Sequence, residues 1–421
     1  MKTPGRILIV VLMLQALFTA CVKEYSYITD PEKTIFNFSV SESQRQKINE
    51  SRGIKFELTD PTPDLIAGGL RFRIDHFRIR GESTLNFERK CFSVNMDQKI
   101  PVVDPVTGIE RKFERFKLIS GVFDYTYIEN RTAEAVFRKI GLWPLFDFYT
   151  EVKLNNHTQG LYHFIEDPEA YYTENQNSSF VLRRGYNHSV KSFFSNPMAL
   201  QPASAYPAML NRIYSAIKDY SGQALFDTLN NYIDLAQYFR KIGIDMLLQN
   251  GDYTDEIYFY TKVVNGKEIF GVLPWDDDDL FASQPHEIGR SWAVGTVFGK
   301  RSYSGKDAIK AEIGDKLIWS IEDDLDYKIA KDSILYQEYL KTLSSVMQVI
   351  DDNAIDSIFT NTEEHLAPFF ENDSIVDQTR FDVTPSNKTL FLDNLQAKKQ
   401  LILDRRNYII SELEKQYTLR K

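Results

Sequence analysis

The sequence predicts an α+β fold in two lobes, β-rich from about residue 34 to 167 and mainly helical from about 168 to 417. Three observations carry that expectation. Up to residue 167 the apolar residues recur at every second position, as in half-buried strands. From Met209 onward they recur at three- and four-residue spacing, the period of a buried helix face. Between the helical stretches an aromatic hairpin, Ile257 to Leu273, ends in the run Asp276-Asp277-Asp278-Asp279.

The first 21 residues read as a targeting segment. Lys2 and Arg6 precede the apolar run Ile7 to Leu17, and Phe18-Thr19-Ala20-Cys21 ends in small residues before a cysteine. This end resembles a bacterial lipobox, which implies a signal peptide over 1–20 and a lipid on Cys21. Residues 21–33 are polar and read as a tether. Ile35 to Val40 and Ile54 to Leu58 alternate as strands, and Pro61-Thr62-Pro63 interrupts the chain. Leu70 to Arg80 alternates again, followed by the turn Gly81-Glu82-Ser83-Thr84 and a strand after Lys90. Asp124 is placed to cap a helix carrying Ala133, Val136, Phe137 and Ile140 on one face. Phe146 to Leu154 and Gly160 to Ile165 form a hairpin around Asn155-Asn156, ending at Glu166-Asp167-Pro168-Glu169. Ser178 to Tyr186 is a further strand with Arg183 and Arg184, and Ser192 to Pro207 reads as an irregular insertion. Helical periodicity then marks Met209 to Tyr220, Gln223 to Leu229 and Ile233 to Leu248, and later Asp315 to Ile321, Tyr327 to Ile350 and Leu390 to Leu413. Ser291 to Gly305, rich in Gly and Ser, reads as a loop.

Composition narrows the function classes. A chain of 421 residues with 43% hydrophobic residues, 23 Tyr and 29 Phe buries a large core. Its net charge of −9, with no basic stripe, argues against nucleic acid as a partner. Cys91 is the only cysteine besides Cys21 and falls at an alternating strand position, where burial is expected. His157 and His163 lie close in sequence but lack a third zinc ligand.

Four adjacent carboxylates repel one another unless a cation sits among them, and a divalent ion with hard oxygen ligands is the usual one. If the strand runs on past Trp275, Asp276 and Asp278 point one way and Asp277 and Asp279 the other. Asp252 stands upstream in Asn250-Gly251-Asp252, ahead of an irregular loop. Near the other end of the β-rich part, a strand, a Gly- and hydroxyl-containing turn and a Lys form a pattern that covers phosphate groups.

Asn250-x-Asp252, Tyr258-Phe259-Tyr260 and Pro274-Trp275-Asp276-x-Asp278-Asp279 resemble the CotH kinase family, named for a spore-coat protein. Arg78-Ile79-Arg80-Gly81-Glu82-Ser83 with Lys90, and Leu154-Asn155-Asn156 with Gly160-Leu161-Tyr162 and Glu166, join the resemblance, which spans residues 34–417. It implies an atypical protein-kinase-like fold and metal-dependent phosphoryl transfer from ATP, with Mg²⁺ or Mn²⁺, to Ser or Thr hydroxyls of a protein. By the same resemblance Asp252 is the catalytic residue, Asp276, Asp278, Asp279 and Glu256 are metal ligands, and Arg80, Ser83, Lys90 and Glu166 are nucleotide contacts. A helix residue that orients the lysine is Glu129 or Glu134. With the lipobox, the expected place is the bacterial cell envelope, lipid-anchored at the outer membrane or surface in a Gram-negative cell.

Two alternatives stay open. Family members carry an Asn where this chain has Glu256, which also fits a pseudokinase. The acidic run equally suits a surface lipoprotein that binds a metal without catalysis. A nucleotide-sugar transferase with Asp-x-Asp is disfavoured, because strands come first and helices later rather than in βαβ alternation.

Overall fold

The computed structural model describes residues 36–418, apart from positions within 68–69, 104–109, 186–187, 198–203, 253, 286–304 and 378–384. The leader, the tether and Cys21 lie outside the described residues, as does much of 291–305.

The N-terminal part is one sheet of eight strands: Phe36–Ser39 (β1), Glu57–Leu58 (β2), Asp64–Ala67 (β3), Leu70–Arg80 (β4), Cys91–Val103 (β5), Glu110–Ile119 (β6), Asp147–Leu154 (β7) and His157–Glu166 (β8). Their order is β2-β4-β3-β1-β7-β8-β6-β5, and β4 also pairs with β5, so the sheet curls into a barrel-like form. Only β1 and β7 run parallel. Alternation puts Phe36, Phe38, Phe77, Phe92, Phe116, Phe148 and Phe164 in the interior. Phe148 stacks on Phe164 at 4.6 Å and Phe38 meets Phe77 edge-on at 4.8 Å. Such pairs stabilise by about 0.5–1.5 kcal/mol beyond area burial. The β7–β8 hairpin turns at Asn155 and Asn156, with φ of 49° and 67°, the left-handed values that a two-residue turn requires.

Two local expectations change here. Helix Glu42–Glu50 (α1) was not foreseen; Ser41 and Gln44 close a reciprocal capping box at its start. The strand expected over Ile54 to Leu58 shrinks to two paired residues.

Helix Ile128–Lys139 (α2) starts three residues later than an Asp124 N-cap would place it, with left-handed Tyr127 at the cap position. The Asp124 carboxylate accepts from the backbone N–H groups of Ile128, Glu129 and Asn130, satisfying donors that a helix start leaves open. One face of α2 packs with Trp143, Tyr149, Leu161 and Ile165 into the core of the helical part. Strands β7 and β8 are therefore buried on both faces.

A second sheet, in the order β10-β9-β11-β12, contains Phe180–Arg184 (β9), Val190–Ser195 (β10), Ile257–Val264 (β11) and Lys267–Pro274 (β12). Strand β10 occupies the start of the stretch read as an insertion. In the stretch read as a loop, Trp292–Val294 (β13) and Arg301–Tyr303 (β14) pair antiparallel. The longer helices of the remaining chain are Ala205–Asp219 (α3), Gly222–Leu229 (α4), Leu235–Leu248 (α5), Gly305–Ile313 (α6), Asp324–Lys331 (α7), Ser333–Val349 (α8), Asp352–Phe370 (α9) and Lys388–Thr418 (α11), with the short Asp373–Val376 (α10) before the last of these. Asp315 to Ile321 is not helical. Its apolar side chains are buried one by one, with the Leu317 N–H donating to the Tyr336 hydroxyl and Trp319 Nε1 to the Asn250 carbonyl. Among the described residues no helix is long and apolar enough to cross a membrane.

Candidate functional site

A cavity of about 1260 Å³ lies between the barrel-like sheet and the end of the second sheet. Strand β4 brings Arg80 to its wall, the tight turn after it brings Gly81 and Ser83, and β5 and β6 bring Cys91, Ser93, Lys117 and Ile119. Gly81 has φ 108°, and a Cβ there would lie 1.9 Å from Thr84 Oγ1, so this turn closes only with glycine. The opposite wall carries Asp252, Asp255, Glu256, Tyr258, Asp276, Asp278 and Asp279.

The acidic wall follows from how β12 ends. Pairing of β11 with β12 runs without a break from Val264↔Lys267 to Ile257↔Pro274, and the Trp275 N–H donates to the Glu256 carbonyl. Asp276 then takes φ 57°, and alternation stops. Asp276, Asp278 and Asp279 consequently all line the cavity, while Asp277 turns inward and accepts from Asn250 Nδ2 at 2.9 Å. The expected pairing of Asp279 with Asp277 on the far face is thus corrected by one left-handed residue. The loop carrying Asp252 is fixed to this segment: Gly251 N–H donates to the Asp279 carbonyl at 2.7 Å. A Cβ on Gly251 would sit 2.1 Å from Asp279 Oδ2.

Lys90 does not take the place expected of it. Its ammonium donates to the carbonyls of Ser51, Leu85 and Phe87 and is absent from the cavity lining. Three acceptors use its three donors. Lys117 is the lysine that β6 brings to the wall, where Lys55, Lys191 and Lys398 also lie. It pairs with Asp167 at 2.7 Å and lies 5.8 Å from the Trp275 ring centroid. Burial disfavours the Lys117 ammonium, but Asp167 together with Tyr258 and Glu169 outweighs it and leaves the pKa above the ordinary value. Arg80 also stands 5.8 Å from Trp275 and has no carboxylate within ion-pair distance among the described residues. Glu166 turns out of the cavity, accepting from Phe146 N–H and Asn175 Nδ2, with Arg111 at 3.7 Å; its neighbour Glu169 lines the wall instead. Of the two helix glutamates, Glu129 reaches a lysine of the wall, but one carried by α11 rather than Lys90 or Lys117. Glu129 accepts from Leu280 N–H and pairs with Lys398 of α11 at 2.9 Å. Glu134 lies in a sealed group with His163 and Asp147.

Among the described residues two three-residue groups have ligand atoms within 4.8 Å of one another, Asp252–Asp255–Glu256 and Glu134–Asp147–His163. In the second, Asp147 already takes Arg131 at 2.9 Å, Arg138 and Trp143 Nε1 at 3.1 Å. A dication there would face two guanidinium groups. In the first, Arg183 pairs with Glu256 and Lys191 with Asp255 at 2.5 Å. Burial, ahead of Asp276, Asp255 and Asp252, pushes Glu256 well up despite Arg183.

Asp278 is the group with no such company. It is half-buried, and no hydrogen bond or ion pair reaches it among the described residues. Burial, then the charges of Asp276, Asp124, Glu129 and Asp279, raises its pKa well above the ordinary value. A crowded carboxylate without a counter-ion, facing a cavity, fits a hard divalent cation.

Residues 77–409 match the family model described as CotH kinase protein. The chain belongs to the CotH kinase family. A comparison with curated proteins found no match. The family match covers the cavity residues from Arg78 to Lys398. The residues of this CotH kinase cavity that sequence reasoning missed are Lys117, Glu169, Arg183 and Lys191. Lys117 left one signal, a lone charge in the apolar run Phe116 to Ile119.

Proposed function

We propose that the protein is a lipid-anchored kinase of the bacterial envelope, transferring phosphate from ATP to Ser or Thr hydroxyls of a protein, with the barrel-like sheet and the helical part acting as two lobes. The observation that carries the reading is that Arg80, Ser83 and Lys117 face Asp276, Asp278 and Asp279 across one cavity. Phosphoryl transfer asks a protein mainly to position groups and to neutralise charge. Arg80 and Lys117 supply fixed positive charge for phosphate oxygens, and the N–H groups and hydroxyl of the Ser83 turn add donors. Asp278, with Asp276 and Asp279, would hold Mg²⁺ or Mn²⁺, which when bound neutralises the charge of the transferring group. Asp252, on the loop tied to that segment, would orient the acceptor hydroxyl and take its proton.

Calorimetry of ATP binding with and without Mg²⁺, followed by mass spectrometry of acceptor proteins, tests the reading. Metal-dependent nucleotide binding and transfer are expected. No metal-dependent binding by the wild type overturns it. Binding without transfer points to the second reading, a pseudokinase, which the ion pair of Glu256 with Arg183 favours. The anchor is tested separately: Cys21→Ser should move the protein from the membrane to the soluble fraction, since lipid chains contribute about 0.8 kcal/mol per buried CH₂.

A further inference from the structure

Arg183 stands between the two acidic segments. Strand β9 carries it, and pairing of Arg183 with Tyr258 on β11 fixes its backbone. Its guanidinium pairs with Glu256, its Nε donates to the Asp255 carbonyl at 2.9 Å, and its Nη2 lies 4.0 Å from Asp276 Oδ2. The residue is 8% exposed and forms part of the cavity wall. Lys191 on β10 completes the arrangement by bridging Asp255 at 2.5 Å and Glu82 of the turn at 3.2 Å.

From this geometry we infer that Arg183 is a built-in cation filling the place between Glu256 and Asp276, so that the cavity takes one divalent ion, on the Asp278 side, and excludes a second. The inference rests on the nucleotide and metal reading above. Three physical facts support it. A guanidinium keeps its charge at any working pH, so it does not vacate the place by losing a proton. Its Nε bond to a buried carbonyl means that swinging out would leave polar groups unpaired. A dication entering between Glu256 and Asp276 would meet that fixed charge at short range, where screening by water is weak. Among the described residues Asp278 has no such cation, its charged neighbours being Asp276, Asp124, Glu129 and Asp279, and that asymmetry decides which side is open.

The test counts Mn²⁺ bound to the full-length protein by electron paramagnetic resonance, with and without a non-hydrolysable ATP analogue. The wild type should bind one Mn²⁺ with the nucleotide, and Arg183→Gln should bind two. Arg183→Lys, which keeps the charge but not the fork, carries the test if Arg183→Gln does not fold; it should admit a second Mn²⁺ at a concentration where the wild type holds one. Two ions in the wild type, or a count that neither substitution changes, overturns the inference and leaves the functional reading standing. No nucleotide-dependent Mn²⁺ binding in the wild type overturns both.

Discussion

Lys90, just before β5, and Lys117, near the end of β6, are both buried beside paired strands, yet their ammonium groups keep different company. Lys90 is enclosed by three carbonyls from the chain around Ser51 and the turn after β4. Burial, with Arg52 nearby, lowers its pKa to about 8. Lys117 has one buried carboxylate, Asp167, and the open cavity. The first lysine holds a turn in shape, and the second presents charge to whatever enters. A lysine's task is therefore set by the acceptors within its reach, and neither its strand nor its spacing from a glycine turn reveals them.

The largest expected effect sharpens this contrast. Lys117→Met should weaken nucleotide binding by 10- to 100-fold or more, the loss of a charge-assisted contact worth about 1.5–3 kcal/mol. It should also destabilise the protein, by about 3–5 kcal/mol, because Asp167 stays buried and unpaired. Lys90→Met should lower stability by about 1–3 kcal/mol for each carbonyl left without a donor, while the folded protein binds nucleotide as before. Calorimetry with thermal unfolding separates the two. The contrast breaks if Lys90→Met abolishes binding and Lys117→Met spares it.

Next in size is Asp278→Asn. Removing a crowded charge should raise the stability of the metal-free protein by about 1 kcal/mol and abolish the rise in Tm that Mn²⁺ gives the wild type, a gain in stability at the expense of function. A full Mn²⁺ shift in the variant would place the ion elsewhere.

The smallest effect is in pH. Asp278 has a raised folded-state pKa, so above the ordinary carboxylate range, about pH 4, the unfolded chain loses its proton first and metal-free stability falls as pH rises. Saturating Mg²⁺ should flatten that slope. Asp167 behaves oppositely. Burial raises its pKa, but Lys117 outweighs burial and holds it below the ordinary value. Its contribution is present above about pH 4 and lost as pH falls further. Asp167→Asn should therefore reduce the loss of stability in acid, measured by urea unfolding between pH 2 and 5.

Local features were legible in the sequence. The Asn155-Asn156 turn, the aromatic hairpin over Ile257 to Leu273 and the Asp124 carboxylate at a helix start all depend on residues near one another in the chain. The family followed from the ordered motifs, and a family match over residues 77–409 agrees. What escaped depended on distant pairing. Lys117 reaches the cavity because β6 lies between β5 and β8, an arrangement fixed by strands more than forty residues apart, such as Phe116↔Glu166. Asp279 joined the cavity through the left-handed backbone of Asp276, which an alternating pattern cannot express. Arg183 and Lys191 acquired their roles only when β9 met β11.

Glu129 binds α2 to the Leu280 N–H and to Lys398 on the last helix, which bears on how the protein is made. The wall of the cavity draws on positions from Lys55 to Lys398. A ribosome must translate as far as Lys398 before the last of them exists, and helix α11 must emerge from the exit tunnel before it can dock. Unfinished chains thus lack a complete pocket, and premature termination before residue 398 would yield fragments without it.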